Sequence, residues 1–261
     1  MKATLKSMII KDVKEISASN QTRLPMIILP AIFAFLLPLG LVVGAQFGIS
    51  GINGMDNMLK IFAGNFTNLN NSQIIVEIGL NYLFPVFFLM IPVMASSIIG
   101  ASSFIGEKER KTMESLLYTP ISIRDLFIAK VIGTAVPALL ITLCSAIVFG
   151  IVINIGGWFY FERLIFPNAK WFILLFWVVP AITLLAITLM VIISAKANTF
   201  QDAQQMSILI ILPIMLLLIG QITGIFLLNE LILLILGAGV YLLDYLLMKN
   251  ATKKFVPEKL I

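Results

Sequence analysis

The chain has 261 residues, 60% of them hydrophobic and 12% charged, with a net charge of +5 and a mean hydropathy of +1.04. A soluble domain carries about 25% charged residues, so this chain lacks the polar surface to cover its apolar residues in water. A soluble enzyme, a soluble binding module and a disordered chain are all excluded, which leaves an integral membrane protein. There is no histidine, which removes histidine acid/base chemistry, histidine metal sites and histidine pH switches. The single cysteine, Cys144, lies in an apolar run. It permits no intrachain disulfide and reads as a small lipid- or core-facing residue.

At the amino terminus, Leu5, Ile9, Val13 and Ile16 recur at helical spacing, with Lys2, Lys6, Lys11 and Lys14 among them. That pattern predicts an amphipathic helix over residues 1–23, lying in the interface with its lysines toward lipid headgroups. Six apolar runs long enough to cross a bilayer follow: Leu24–Gly44, Ile78–Phe104, Val131–Ile153, Trp171–Ser194, Ser207–Leu228 and Leu231–Met248. Val43-Gly44-Ala45 resembles a signal-peptide cleavage site. The leader before it is long, however, and the apolar run exceeds the usual h-region, so the first run is expected to stay as a membrane helix. Residues Ala45 to Glu77, rich in Gly and Asn, form the longest expected external segment. The composition favours turns, with room for a short interfacial helix over Met55–Phe62.

Lysine and arginine alternate between the connections. The segments on one side (amino terminus, second and fourth connections, carboxyl tail 249–261) hold 15 of them, against 3 on the other. The positive-inside rule then places both termini in the cytoplasm, as an even number of spans requires. Prolines inside the spans include Pro30, Pro38, Pro85, Pro92, Pro137, Pro180 and Pro213. Each frees a backbone carbonyl and is expected to shape its helix.

The spans hold almost no charge. Glu77 and Asp244 are expected near span ends, within reach of the interface. Ser96, Ser97, Ser102, Ser103, Thr142, Ser145, Thr183, Thr188, Gln221 and Thr223 are expected to make interhelical hydrogen bonds or to line a path. No acidic or basic relay is visible, which disfavours a gradient-driven carrier. H-E-x-x-H, G-x-S-x-G and P-loop motifs are absent from the sequence, which disfavours an intramembrane enzyme and places any ATP on another chain.

The second connection, residues 105–130, carries the densest signal. In Gly106-Glu107-Lys108-Glu109-Arg110-Lys111-Thr112-Met113-Glu114-Ser115-Leu116-Leu117-Tyr118, charges pair four apart (Glu107/Lys111, Arg110/Glu114), each pair worth ~0.2–0.5 kcal/mol to a solvated helix. Thr119-Pro120 stops that helix. Ser122 then caps a new one, with Asp125 at the capping-box position and Ile121 stapled to Leu126, and this helix is expected to run through Lys130 into the third span.

Taken together, Glu107-Lys108-Glu109-Arg110, Thr112-Met113-Glu114, Leu116-Leu117, Thr119-Pro120, Ser122, Asp125-Leu126 and Lys130 resemble the signature loop of the type-two ATP-binding-cassette (ABC) exporter permeases. One departure is Lys111, where that family usually has Gly. The resemblance covers the layout of the whole chain as a single permease domain, 1–261. The resemblance implies an all-α membrane protein with six transmembrane helices in 24–248, an amino-terminal "elbow" helix carrying Lys2, Leu5, Lys6, Ile9, Val13 and Ile16, and a location in a bacterial cell membrane. It further implies that Glu107, Lys108, Glu109, Arg110, Glu114, Leu117, Thr119, Pro120 and Ser122 form the coupling surface for a separate ATPase. Two copies of that subunit, a second permease chain (the same or a related one) and membrane lipid are the implied partners, with no role for nucleic acid. ATP and magnesium belong to the ATPase, so this chain is expected to hold no cofactor and to catalyse nothing itself. The apolar, nearly uncharged interior suggests a hydrophobic or amphipathic cargo: a peptide, a drug or a lipid-like molecule. A membrane assembly factor that transports nothing and a gradient-driven carrier are the alternatives.

Overall fold

The computed structural model describes residues 20–46, 69–109, 123–194, 196–225 and 227–254. The predicted elbow, the Met55–Phe62 segment and the end of the basic tail lie outside them. The described residues form helices and connections, with no strand among them. Six helices are long and apolar enough to cross a membrane: Arg23–Gln46, Asn71–Ile105, Ile128–Phe161, Ala169–Ser194, Phe200–Ile222 and Glu230–Lys249. With their extensions they are called α1 (20–46), α2 (71–109), α3 (Ile123–Phe161), α4 (169–194), α5 (Phe200–Ile222) and α6 (Glu230–Lys254). The helices run up and down. One face of the bundle, here the terminal face, gathers the start of α1, the end of α2, the start of α3, the end of α4, the start of α5 and the end of α6. The other is the far face.

The outside of this bundle is apolar. Leu24, Leu140, Ile147, Phe176, Leu209, Leu216, Leu231 and Leu242 are exposed, a coating that water does not tolerate at this extent and lipid does. Cys144 shares that exposed side of α3. The helix at the centre is α2, with 78% of its apolar stretch buried against 17% for α1 and α6.

Three spans differ from the sequence reading at their ends. α3 runs on to Phe161 rather than stopping at Ile153. α2 starts at Asn71 rather than Ile78, because Asn70 and Gln73 act as a helix start: the Asn70 N–H donates to Gln73 Oε1 at 2.9 Å. Asn, Ser and Gln there look like turn residues to a composition argument, yet they cap. α5 runs over Phe200–Ile222 rather than Ser207–Leu228. Its polar first turns (Gln201, Asp202, Gln204, Gln205) are helical although hydropathy reads them as a connection. Gly224, at φ 72°, ends the helix in the left-handed conformation that glycine adopts without strain.

Four segments of π-helix interrupt the described helices: Ile32–Leu36, Gly79–Leu83, Leu174–Val178 and Ala101–Ile105. The first three each end two residues before a proline (Pro38, Pro85, Pro180). A proline ring clashes with the carbonyl four residues back and supplies no N–H to it. Widening the preceding turn relieves the clash and leaves carbonyls to be claimed by neighbours. At Pro85 this is visible in detail. The carbonyl four residues back is that of Asn81, and it accepts from Lys170 Nζ at 2.9 Å. The adjacent Leu80 carbonyl accepts from Trp171 Nε1 at 3.1 Å. The start of α4 therefore grips the widened turn of α2. Lys170 also lies 4.6 Å above the Tyr82 ring, and Asn168 donates to Asn81 Oδ1 at 2.7 Å.

Beneath this grip sits an aromatic cluster. Phe149 of α3 contacts Phe84 of α2 (5.2 Å between centroids), Phe166 (5.3 Å) and Trp171 (4.7 Å). The connection from α3 to α4 is folded back onto it by Asn154, whose Oδ1 accepts from the Ile165 and Phe166 N–H groups at 3.0 Å each. Its Nδ2 donates to the Phe166 carbonyl at 2.7 Å.

The polar residues inside the bundle mostly do not bond between helices as expected. Thr142, Ser145, Thr183 and Thr223 donate to carbonyls of their own helix three or four residues back. In an apolar bundle that carbonyl is the nearest acceptor within reach of a short hydroxyl. Thr188 of α4 lies against Asp244 of α6. Asp244 is buried, turned to α4 rather than out toward the interface.

Candidate functional site

Three of the nine predicted coupling residues are described, and they lie where α2 leaves the bundle at the terminal face. Gly106–Glu109 forms the last turn of α2, which carries Glu107, Lys108 and Glu109. Arg110, Glu114, Leu117, Thr119, Pro120 and Ser122 lie outside the described residues. α3 is helical from Ile123, the first described residue after that stretch, and continues unbroken past Lys130 into the third span. Lys2, Leu5, Lys6, Ile9, Val13 and Ile16 also lie outside the described residues.

Glu109 reaches across the terminal face to α5. Its Oε2 accepts the backbone N–H of Phe200 at 3.0 Å, a contact between residues 91 apart in sequence. Phe200 is the first residue of α5, and Thr199 is its cap: Thr199 Oγ1 accepts from the Asp202 N–H at 3.1 Å, and Asp202 Oδ2 accepts from the Thr199 N–H at 3.2 Å. The first turn of a helix leaves N–H groups without partners. Here the cap satisfies one and Glu109, from another helix, satisfies the next. A carboxylate at this end also faces the positive pole of the helix dipole.

The neighbouring tie joins α2 to α3. Lys130, 3% exposed, donates through Nζ to the Ser103 carbonyl in the π segment Ala101–Ile105. It lies 5.4 Å from the centre of the Phe104 ring. The sequence reading placed Lys130 in the connection; the structure buries it between the two helices that flank that connection.

A cavity of about 330 Å³ opens just inside the same face, between α1, α2 and α5. Pro25 and Leu29 of α1, Met94 and Ile98 of α2, and Ile208 and Ile211 of α5 form its apolar wall. Ser97, Gln204, Gln205 and Ser207 supply hydroxyl and amide groups, and no charged side chain lines it. Ser97 is 5% exposed and its hydroxyl has no hydrogen-bond partner among the described residues. A lining of this kind suits a molecule with an apolar body and an uncharged hydrogen-bonding group. Among the described residues no group of three or more acidic or Cys side chains is placed to hold a metal ion.

Sequence reasoning missed the contact of Glu109 with α5 and the place of Gln204 and Gln205 in the cavity, while Ser97 is among the residues it expected to bond between helices or line a path. The signal for the first was present. Thr199-Phe200-Gln201-Asp202 is a capping-box pattern, and it marks Phe200 as the start of α5. Nothing local to residue 109 shows which helix its carboxylate meets.

A family model described as "ABC-2 family transporter protein" matches residues 6–250. No curated protein and no solved structure matches the chain.

Proposed function

Because this chain belongs to the ABC-2 transporter family, we propose that it is the membrane-spanning permease of an ABC exporter, driven by ATP hydrolysis on a separate subunit. The observation that carries this reading is the family match over nearly the whole chain, on a bundle with a cavity just inside the face where α2 ends. Two ATPase subunits dock on that connection from the cytoplasm, where both termini also lie. A second permease chain completes the pathway. The ATPase pair closes on ATP and bears on residues 107–122. The load shifts the population of the bundle between two arrangements of pathway access. The chain itself performs no covalent step.

The cargo enters between α1, α2 and α5. The uncharged lining of hydroxyls, amides and aliphatic side chains supports a hydrophobic or amphipathic molecule over an ion. A gradient-driven carrier finds less support. Among the described residues the buried charged side chains are Lys130 and Asp244, which serve different helix pairs and form no relay with one another.

The test is capture of an ATPase subunit with this chain and reconstitution of the pair in proteoliposomes. The complex should co-purify, and candidate amphipathic peptides or drugs should raise its ATP hydrolysis and be moved. Glu107→Lys or Glu114→Lys should leave the ATPase turning over while transport falls at least tenfold. Absence of any nucleotide-hydrolysing partner after cross-linking from 107–122, or labelling of that stretch from outside the cell, overturns the proposal.

A further inference from the structure

We infer that Glu109 is a positioning residue that passes the movement of the second connection to α5 and so to the wall of the cavity. This rests on the exporter reading above and adds the route that the force takes inside the chain.

The geometry offers two routes from the end of α2 to the cavity. Along α2 itself, Glu109 is separated from the lining residues Met94, Ser97 and Ile98 by the π segment Ala101–Ile105. A widened turn is a local irregularity in the hydrogen-bond ladder, and this one is pinned sideways to α3 by Lys130. Displacement of residue 109 is therefore absorbed or diverted before it reaches Ser97. The second route is direct. The Glu109 carboxylate holds the first N–H of α5. From Phe200 the ladder of α5 runs unbroken past Gln204, Gln205, Ser207 and Ile208; Pro213 removes its first bond, at the residue 209 carbonyl, and Ile211 lies within that turn. At 1.5 Å per residue these lie about 6 to 17 Å along one helix. A shift of Glu109 moves the α5 wall of the cavity against the α1 and α2 walls.

A residue that merely held the fold together would act on stability alone. A transmitting residue changes how the cavity answers to nucleotide. The discriminating variant is Phe200→Pro. Proline is accepted at the first position of a helix, where its missing N–H breaks no intrahelical bond, and Thr199 already has the extended backbone that a following proline favours (φ −125°, ψ 158°). The substitution deletes the donor to Glu109 and leaves the helix intact. Phe200→Ala is its control, because it loses the same ring and keeps the N–H.

The readout is a bimane label on Gln205→Cys in a Cys144→Ala background, in the full chain assembled with its ATPase. The signal is the fluorescence change on adding ATP, Mg and vanadate. The expected result is a response at least fivefold smaller in Phe200→Pro than in Phe200→Ala, with ATP hydrolysis within twofold in both. Glu109→Ala should match Phe200→Pro, and Glu109→Gln, which keeps a carbonyl acceptor, should restore most of the response. Equal responses in the proline and alanine variants overturn the inference and leave the exporter reading standing. A parent complex that binds no ATPase, or hydrolyses no ATP, overturns both. Amide hydrogen exchange at residue 200 of the purified chain checks the bond without nucleotide: it should quicken severalfold in Glu109→Ala, and unchanged exchange refutes the contact.

Discussion

The grip of α4 on the widened turn of α2 makes a quantitative prediction about Lys170 and Pro85. Lys170→Met removes the ammonium that serves the Asn81 carbonyl and keeps most of the aliphatic stem. A hydrogen bond from a charged donor contributes ~1.5–3 kcal/mol, and an orphaned buried carbonyl costs a similar amount. The Tyr82 contact at 4.6 Å adds ~0.5–2 kcal/mol. A total loss of ~2–5 kcal/mol is expected, at the low end if water reaches the carbonyl. Pro85→Ala changes what that lysine does. An alanine N–H at position 85 is able to close a regular helical bond onto the Asn81 carbonyl, so Lys170 no longer has an orphan to serve. In the Pro85→Ala background the same Lys170→Met should therefore cost only the ring contact. The cycle should show a coupling of ~1–3 kcal/mol, well above the ~0.5 kcal/mol within which independent sites add. The assay is unfolding in mixed micelles titrated with SDS, on the parent, both single variants and the double variant. Additive effects would show that the proline did not create the lysine's acceptor, and the account of the π segments given above would fall with it.

Two further substitutions test the packing that positions α3 and α4. A Cβ at Gly150 would stand 2.7 Å from Cδ1 and Cε1 of Phe166, a ring wedged between Phe149 and Trp171. Gly150→Ala should thus destabilise by ~1–3 kcal/mol, read as faster thermal inactivation in detergent; unchanged inactivation would show that the ring is free to move. Asn154→Ala removes three hydrogen bonds to residues 165 and 166 and should release the connection between α3 and α4. Trypsin should then cut after the exposed Arg163 at least tenfold faster than in the parent, and an unchanged rate would mean that the aromatic cluster holds the connection alone.

Much of the fold was legible because hydrophobic length in lipid is a coarse but strong constraint. Leu24–Gly44 and Trp171–Ser194 were placed within two residues of the apolar helices that formed. The errors came where capping outweighed hydropathy. Asn70 with Gln73 and Thr199 with Asp202 start helices in polar sequence, seven residues earlier than the apolar run in each case. Prolines were read as shaping elements without the form they took, since the widened turn depends on a neighbour able to satisfy the freed carbonyl. The contacts that build the site were not legible. Glu109 and Phe200, Lys130 and Ser103, and Lys170 and Asn81 are 91, 27 and 89 residues apart, and a periodicity argument carries no information across such distances. The cavity escaped for the same reason, and because two of its four polar residues, Gln204 and Gln205, come from α5 turns that hydropathy assigned to a connection.

A helix surrounded by hydrocarbon ordinarily shows its neighbours only carbon, and one rotation or sliding position is nearly as good as another. The Pro85 turn alters that for α2. It presents bare oxygens at a fixed depth, and α4 matches them with one amine and one indole side by side at residues 170 and 171. Any other docking position leaves those oxygens naked in oil, so the pairing chooses the register of the two helices as they meet during assembly.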